Sequence, residues 1–346
     1  MQALILAGGE GTRLRPLTET LPKPVVPLAG RPHIAYVVDW LASHGVDDVV
    51  VSCGHLAEGV RAALEGATEM RVCFVEEPDA RGTAGAIRYA SDALGDRFFV
   101  LNGDVLCDLD LGALARQHER TGASATIALY PVEDPSAYGL VHRSEDGAIS
   151  EFLEKPSPEQ IDTDEINAGA YLLERSVLDR IPPGRAVSIE RELFPDLVGN
   201  GLYGRRLEGY WIDIGTPERY LQANWDILER KLRTVTGERL DAEGLLVADG
   251  AEVDGEAILS APALLATGAR VSAGARVGPR AVLGPGTEVG ERASVSGSVL
   301  LSGCRVGVGA RLNGSILADE VVVAEGAVLE AGSVAGRGEL VEGALA

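Results

Sequence analysis

Residues 4–24 read LILAGGEGTRLRPLTETLPKP and set two cations, Arg13 and Lys23, directly after an apolar run and a cluster of glycines. Gly8, Gly9 and Gly11 allow the backbone to approach a ligand, so several N–H groups can face phosphate oxygens where side chains would clash. Thr12 is expected to open a helix whose N-terminus adds positive potential, and Pro16, Pro22 and Pro24 stiffen the chain that carries Lys23. The chemistry this favours is the holding of a polyphosphate. The segment is neither GxGxxG nor GxxxxGK[ST], so neither the dinucleotide fingerprint nor the Walker loop applies.

Two carboxylates stand where apolar runs end, Asp104 in VLNGD and Asp213 in YWIDIGT. Beside a phosphate-binding turn, such residues point to a divalent ion held by one or two carboxylates and by substrate phosphates, the usual mode for Mg²⁺. Lys155, in FLEKP, is another candidate phosphate-binding cation.

The elements that must position these groups alternate. Strand-like runs cover 3–6, 48–52, 71–75, 98–101, 125–129 and 168–173, and helix-like runs cover 34–44, 58–64, 84–94 and 111–121. This alternation predicts an α/β fold, Rossmann-like, with a mainly parallel sheet and helices on both faces, whose ligands gather beyond the carboxyl ends of the strands. A helix over 217–233 closes the part.

From Val253 onward an aliphatic residue returns every sixth position: Val253, Leu259, Leu265, Val271, Val277, Leu283, Val289, Val295 and Leu301. The beat continues with one-residue slips through Val306, Leu312, Leu317, Val322, Val328 and Val334. Six residues fit neither a helix nor a lone strand, but three hexads make one coil of a parallel β-helix. Loss of a corner residue shortens a coil from eighteen residues to seventeen, the spacing between Val299 and Ile316. The expected domains are therefore 1–235, an α/β part with the candidate phosphate site, and 236–346, a β-helix.

Composition narrows the partners. A formal net charge of -21 over 346 residues argues against nucleic acid or an anionic membrane, so an anionic substrate must be caught locally by Arg, Lys, N–H groups or metal. Cys53, Cys73, Cys107 and Cys304 form no CxxC and no paired framework, which reads as reduced thiols of a cytoplasmic protein. No signal-like segment opens the chain, and no run of about eighteen apolar residues interrupts it.

GGxGTRLxPLTxxxPKP resembles the signature of the sugar-1-phosphate nucleotidyltransferases, also called nucleotide-sugar pyrophosphorylases. The resemblance extends to VLNGD, to FxEKP, to Tyr138-Gly139, to Asn167-Ala168-Gly169 and to YWIDIG, and to a C-terminal hexapeptide pattern like the left-handed β-helix of many transferases. It implies that Asp104 and Asp213 hold Mg²⁺, and that Lys155 meets the sugar phosphate while Glu154, Gly139 and Asn167 line the sugar pocket. Nucleotide would lie along Leu6, Ala7, Gly8, Gly9, Gly11 and Thr12, with Glu77, Gly82 and Thr83 at the base. Arg13 would take the β- and γ-phosphates and Lys23 the α-phosphate.

Base choice turns on Glu77, which stands before Pro78 where thymidylyl and uridylyl relatives usually have glutamine. Guanine offers N1–H and N2–H₂ side by side, a two-donor edge suited to a carboxylate, whereas a uracil-type edge suits an amide. The GTAGA run and Ser188-Ile189-Glu190 also resemble mannose-1-phosphate guanylyltransferases, implying GTP and mannose-1-phosphate as substrates of an oligomeric enzyme. Three alternatives stay open: a thymidylyl-, uridylyl- or adenylyltransferase acting on glucose-1-phosphate, a bifunctional acetyltransferase, and a non-catalytic subunit that binds nucleotide sugar. The histidines are His33, His44, His55, His118 and His142, so the coil region lacks the usual base for acetyl transfer.

Overall fold

A computed structural model describes residues 1–54 and 56–345; His55, Ala346 and the side chain of Leu345 lie outside the described residues. The chain forms two compact units, Met1–Gly9 with Ile34–Trp211 and Glu10–His33 with Ile212–Ala346. The expected division at residue 235 concerns roles along the chain, whereas these units follow packing and interleave.

In the first unit, β1 (Gln2–Leu6), β2 (Asp48–Cys53), β3 (Arg71–Glu76), β4 (Arg97–Asn102), β5 (Ala125–Pro131), β6 (Gly139–Arg143), β7 (Ile149–Glu154), β8 (Glu165–Glu174) and β9 (Leu202–Arg206) make one nine-stranded sheet. Its order is β7-β6-β8-β4-β1-β2-β3, with β5 beside β8 and β9 beside β5. β1 is parallel to both β2 and β4, and β8 is antiparallel to β4, β5 and β6. The sheet is thus mixed, parallel around the glycine-rich turn. Short aliphatic runs become its central strands because both faces are covered, and Leu4, Ile5, Val50 and Val100 are fully buried.

Its longer helices are α1 (His33–Ser43), α2 (Ala57–Leu64), α3 (Gly82–Tyr89) and α4 (Leu111–Thr121). The limits of α4 are locally encoded, since the Asp110 side chain accepts from the Ala113 N–H at 2.9 Å and Gly122 ends the helix at φ 61°. The run expected over 84–94 is broken instead. α3 stops at Tyr89 and a single tight turn, Ser91–Ala93, follows, as Ser and Asp compete with the helix for backbone hydrogen bonds.

In the second unit, α5 (Pro217–Leu228) is capped by Thr216 and ends five residues before the expected Arg233. Arg230 adopts φ 56°, and its guanidinium donates to the carbonyls of Gly237 and Leu240 at 3.0 and 2.8 Å, turning the chain toward the coils. Three six-stranded parallel sheets then stack, each strand pairing with the one a coil later. Leu265 pairs with Leu283, Leu283 with Leu300 and Leu300 with Leu317, and Val299 pairs with Ile316 as the seventeen-residue spacing required. The stack has the form of the left-handed β-helix.

The phase of the repeat is corrected at several points. Leu300, not Leu301, continues the stack of core side chains, and Val323, Leu329 and Ala335 point inward in place of Val322, Val328 and Val334. Adjacent residues of a strand face opposite ways, so wherever two apolar residues are neighbours a one-residue corner slip decides which is buried. Val322 is left 36% exposed beside Val323 at 1%.

Segment Glu10–His33 packs within the second unit: the Asn224 carbonyl oxygen accepts from Ala29 N–H at 2.7 Å, and Tyr220 donates to the Pro27 carbonyl at 2.5 Å. Trp225 donates to the Gly297 carbonyl at 3.1 Å, tying α5 to the coils. Among the described residues no helix is long and apolar enough to cross a membrane.

Candidate active site

The first unit brings together, at the ends of its strands, the residues expected at the base and those expected at the sugar. Gly8 and Gly9 follow β1. A Cβ added at Gly8 would lie 3.4 Å from a Glu77 carboxylate oxygen, while one at Gly9 would meet open space. The same Glu77 oxygen accepts from the Ser52 hydroxyl at 2.8 Å, and the Glu77 N–H donates to the Cys53 carbonyl at 2.8 Å, so the carboxylate is pinned against the glycine turn. Burial pushes the Glu77 carboxyl above its ordinary range, opposed by the Ser52 hydrogen bond.

Gly82 and Thr83, expected at the base, have structural duties as well. Gly82 has φ 67° and a Cβ there would strike the Val187 carbonyl oxygen at 2.6 Å, so close packing alone requires glycine. The Thr83 hydroxyl donates to Glu190 at 2.9 Å and accepts from the Ile189 N–H at 2.8 Å.

Among the residues expected at the sugar, Glu154 faces Gly139 across the β6–β7 pair. A Cβ at Gly139 would come within 2.6 Å of the Phe152 ring and 3.2 Å of a Glu154 oxygen. Lys155 takes φ 54° and donates its N–H to the Tyr138 carbonyl at 2.9 Å, which turns the chain directly after Glu154. Asn167 is nearly buried; its amide donates to the Tyr171 hydroxyl at 3.0 Å and its carbonyl accepts from the Gly169 N–H at 3.0 Å. Trp211 donates to the Ala168 carbonyl at 2.8 Å and stacks on Tyr130 with ring centroids 5.6 Å apart.

Asp104 lies one residue beyond Gly103, whose N–H donates to the Leu6 carbonyl at 2.9 Å. A Cβ at Gly103 would sit 2.5 Å from that carbonyl oxygen, so β4 can hold Asp104 at the end of β1 only with glycine there. Gly103→Ala is expected to lower the melting temperature by several degrees and kcat by at least about tenfold, since backbone must shift. Thermal unfolding and steady-state kinetics of that variant check this.

The second unit assembles a cationic cluster around one carboxylate. Asp213 has Arg219 at 3.4 Å, Arg13 at 3.8 Å and Lys23 at 3.9 Å. Lys23 is 8% exposed, whereas Arg13 is largely open to solvent. Gly215 permits the approach, because a Cβ there would come within 2.6 Å of the Arg13 guanidinium and 2.8 Å of Asp213. Gly11 has φ 63°, and its carbonyl accepts from the Thr18 hydroxyl at 2.8 Å. Thr12 does not open a helix as expected: it begins a three-residue 3-10 turn, Thr12–Leu14, too short to carry a macrodipole, which leaves Arg13 as the main positive group of that turn.

Sequence reasoning named Arg13, Lys23 and Asp213 but not Arg219, Ser52, Tyr171 or Trp211. Arg219 carried a signal, since it lies six residues after Asp213 at the start of a helix.

Comparison with known proteins bears on these geometries. Residues 2–230 match the nucleotidyl transferase family. The chain belongs to that family. Residues 259–345 match a second family described as the GMPPB C-terminal domain. A mannose-1-phosphate guanylyltransferase of Mycobacterium tuberculosis is 38% identical over 270 residues, 75% of each chain. A mannose-1-phosphate guanyltransferase of Schizosaccharomyces pombe is 44% identical over 230 residues, 64% of this chain and 62% of that one. The chain thus spans somewhat under two thirds of the yeast relative's length. Among solved structures, HddC from Yersinia pseudotuberculosis superposes with a TM-score of 0.58 at 29% identity, over 64% of this chain and 97% of that one. Its complex with GMP-PN gives a TM-score of 0.57.

Proposed function

We propose that this nucleotidyl transferase moves GMP from GTP to mannose-1-phosphate, giving GDP-mannose and pyrophosphate. The observation that carries the choice of base is the Glu77 carboxylate, pinned by Ser52 against Gly8, where a two-donor purine edge has its complement.

In the reaction a phosphate oxygen of mannose-1-phosphate attacks the α-phosphorus of GTP in line. The new O–P bond forms as the bond to the β-phosphate oxygen breaks, and pyrophosphate leaves. The nucleophile is already an anion, so catalysis consists of positioning and charge stabilisation. Arg13 takes the β- and γ-phosphates, Lys23 the α-phosphate and Lys155 the sugar phosphate. Glu154 and Asn167 hold sugar hydroxyls, and Gly139 makes room for Glu154.

We assign Asp104 and Asp213 to a divalent ion, Mg²⁺. Two carboxylates leave substrate phosphates to complete the shell, the usual mode of binding for Mg²⁺. When bound, the ion supplies Lewis-acid stabilisation of the α-phosphate. Residues 1–235 carry these roles, and the coil region 236–346 is assigned to assembly of like copies or to regulation.

A panel of GTP, ATP, UTP and dTTP, each with mannose- or glucose-1-phosphate and Mg²⁺, tests the reading through released pyrophosphate. GTP with mannose-1-phosphate is expected to give the highest kcat/KM. A preference for another pair would replace this substrate assignment, and no product from any pair would overturn the enzymatic one.

A further inference from the structure

Glu190 belongs to none of the groups assigned above, yet its carboxylate is firmly held in the first unit. One of its oxygens accepts two hydroxyl hydrogen bonds, from Thr83 at 2.9 Å and from Ser188 at 2.7 Å. Both hydroxyls are oriented in turn by backbone: Thr83 accepts from the Ile189 N–H at 2.8 Å and Ser188 from the Arg191 N–H at 3.2 Å. Each therefore spends its own proton on Glu190. The carboxylate sits on a single π-helical turn, Ile189–Leu193, a rare geometry that is frequent at functional sites.

The other Glu190 oxygen accepts no hydrogen bond among the described residues, and it is not sealed from solvent. No cation stands within ion-pair distance of Glu190 among the described residues. An anionic oxygen, half-buried, fixed in direction and left without a donor is an acceptor waiting for one. The turn that carries it packs against β7, which ends in Glu154. Phe194, directly after the turn, touches both Phe152 and Tyr171, with ring centroids 5.3 and 5.1 Å apart. Tyr171 in turn holds Asn167. The Glu190 charge acts on both Glu154 and Tyr171, so the residue stands beside the groups assigned to the sugar. The negative charge of Glu190 adds to burial in pushing the Glu154 carboxyl up.

We infer that Glu190 is a second carboxylate of the sugar subsite, whose open oxygen accepts a hydrogen bond from a ring hydroxyl of the sugar-1-phosphate and so sets which hexose is taken. The inference rests on the sugar-1-phosphate reading. It differs from that reading in assigning discrimination to a residue 36 positions after Glu154, anchored by Thr83 from across the chain.

Glu190→Gln keeps the shape and the hydroxyl anchors but replaces the anion. The KM for mannose-1-phosphate is expected to rise about tenfold or more, the loss typical of a hydrogen bond to a charged group, while the KM for GTP and the melting temperature stay unchanged. Removing the charge also lowers the Glu154 carboxyl, so the rise of sugar KM on acidification should begin at a lower pH than in the wild type. Glu190→Asp, which keeps the charge but shortens the reach, should raise KM without that shift. Across monodeoxy mannose-1-phosphates, wild type and Glu190→Gln should converge for one analogue, the one lacking the hydroxyl that Glu190 holds. An unchanged sugar KM in Glu190→Gln, equal losses for GTP and sugar, or no convergence would overturn the inference. A wild type that makes no GDP-mannose would instead overturn the proposed function.

Discussion

Asp213→Asn is expected to lower kcat by about two to three orders of magnitude, the scale of losing one electrostatic contact to a transferring group. It should also raise the Mg²⁺ concentration needed for half-maximal rate. The reason is visible in the second unit, where Asp213 is within 4 Å of Arg13, Lys23 and Arg219. Without ligand the carboxylate offsets three cations, two of which, Arg13 and Lys23, are assigned to substrate phosphates. Lys23 is almost buried, and a buried ammonium that loses a partner is costly. The melting temperature of Asp213→Asn should therefore fall, and pyrophosphate, which supplies the missing negative charge, should restore more stability to the variant than to the wild type. Kinetics with a Mg²⁺ titration, together with thermal unfolding with and without pyrophosphate, measure both effects. A kcat within threefold of the wild type would remove Asp213 from the reaction.

Glu77→Gln should lower kcat/KM for GTP by about a hundredfold and narrow the preference for GTP over UTP or dTTP. The loss corresponds to two hydrogen bonds to a charged acceptor exchanged for one to a carbonyl and one clash between donors. The pH dependence follows from the same contacts. Burial raises the Glu77 carboxyl above its ordinary range, and guanine needs it ionised. As pH falls, the anionic fraction is lost sooner than in an exposed glutamate, so the wild-type KM for GTP should climb early on acidification. In Glu77→Gln this dependence should vanish. Retention of full GTP selectivity by the variant would assign base recognition elsewhere.

Much of this site could be read from residue order because its parts are local. Gly8 to Lys23 advertises a phosphate cradle through neighbouring glycines and cations, and VLNGD and YWIDIGT show carboxylates at strand ends. The coil repeat is likewise local, and the seventeen-residue spacing predicted a pairing that the structure contains. Legibility failed where two local choices were equally good. Leu300 and Leu301, or Val322 and Val323, satisfy the same hexad pattern, and the corner that selects between them leaves no mark in composition. It failed again where partners lie far apart along the chain, as with Thr83 and Glu190 or Arg13 and Asp213.

Residue order alone carried the solenoid period and suggested the chemistry proposed here: a glycine turn with cations for phosphate, carboxylates for a divalent ion, and a carboxylate where a base edge would be read. These depend on side-chain type and on spacing within a few residues, which backbone geometry converts directly into shape. Tertiary structure decided the rest. It drew Glu10–His33 into the same unit as α5 and the coils, set Asp213 among three cations, pinned Glu77 on Ser52, and held one oxygen of Glu190 while leaving the other open. Such pairings depend on the path of the chain between distant residues, and only a completed core fixes that path.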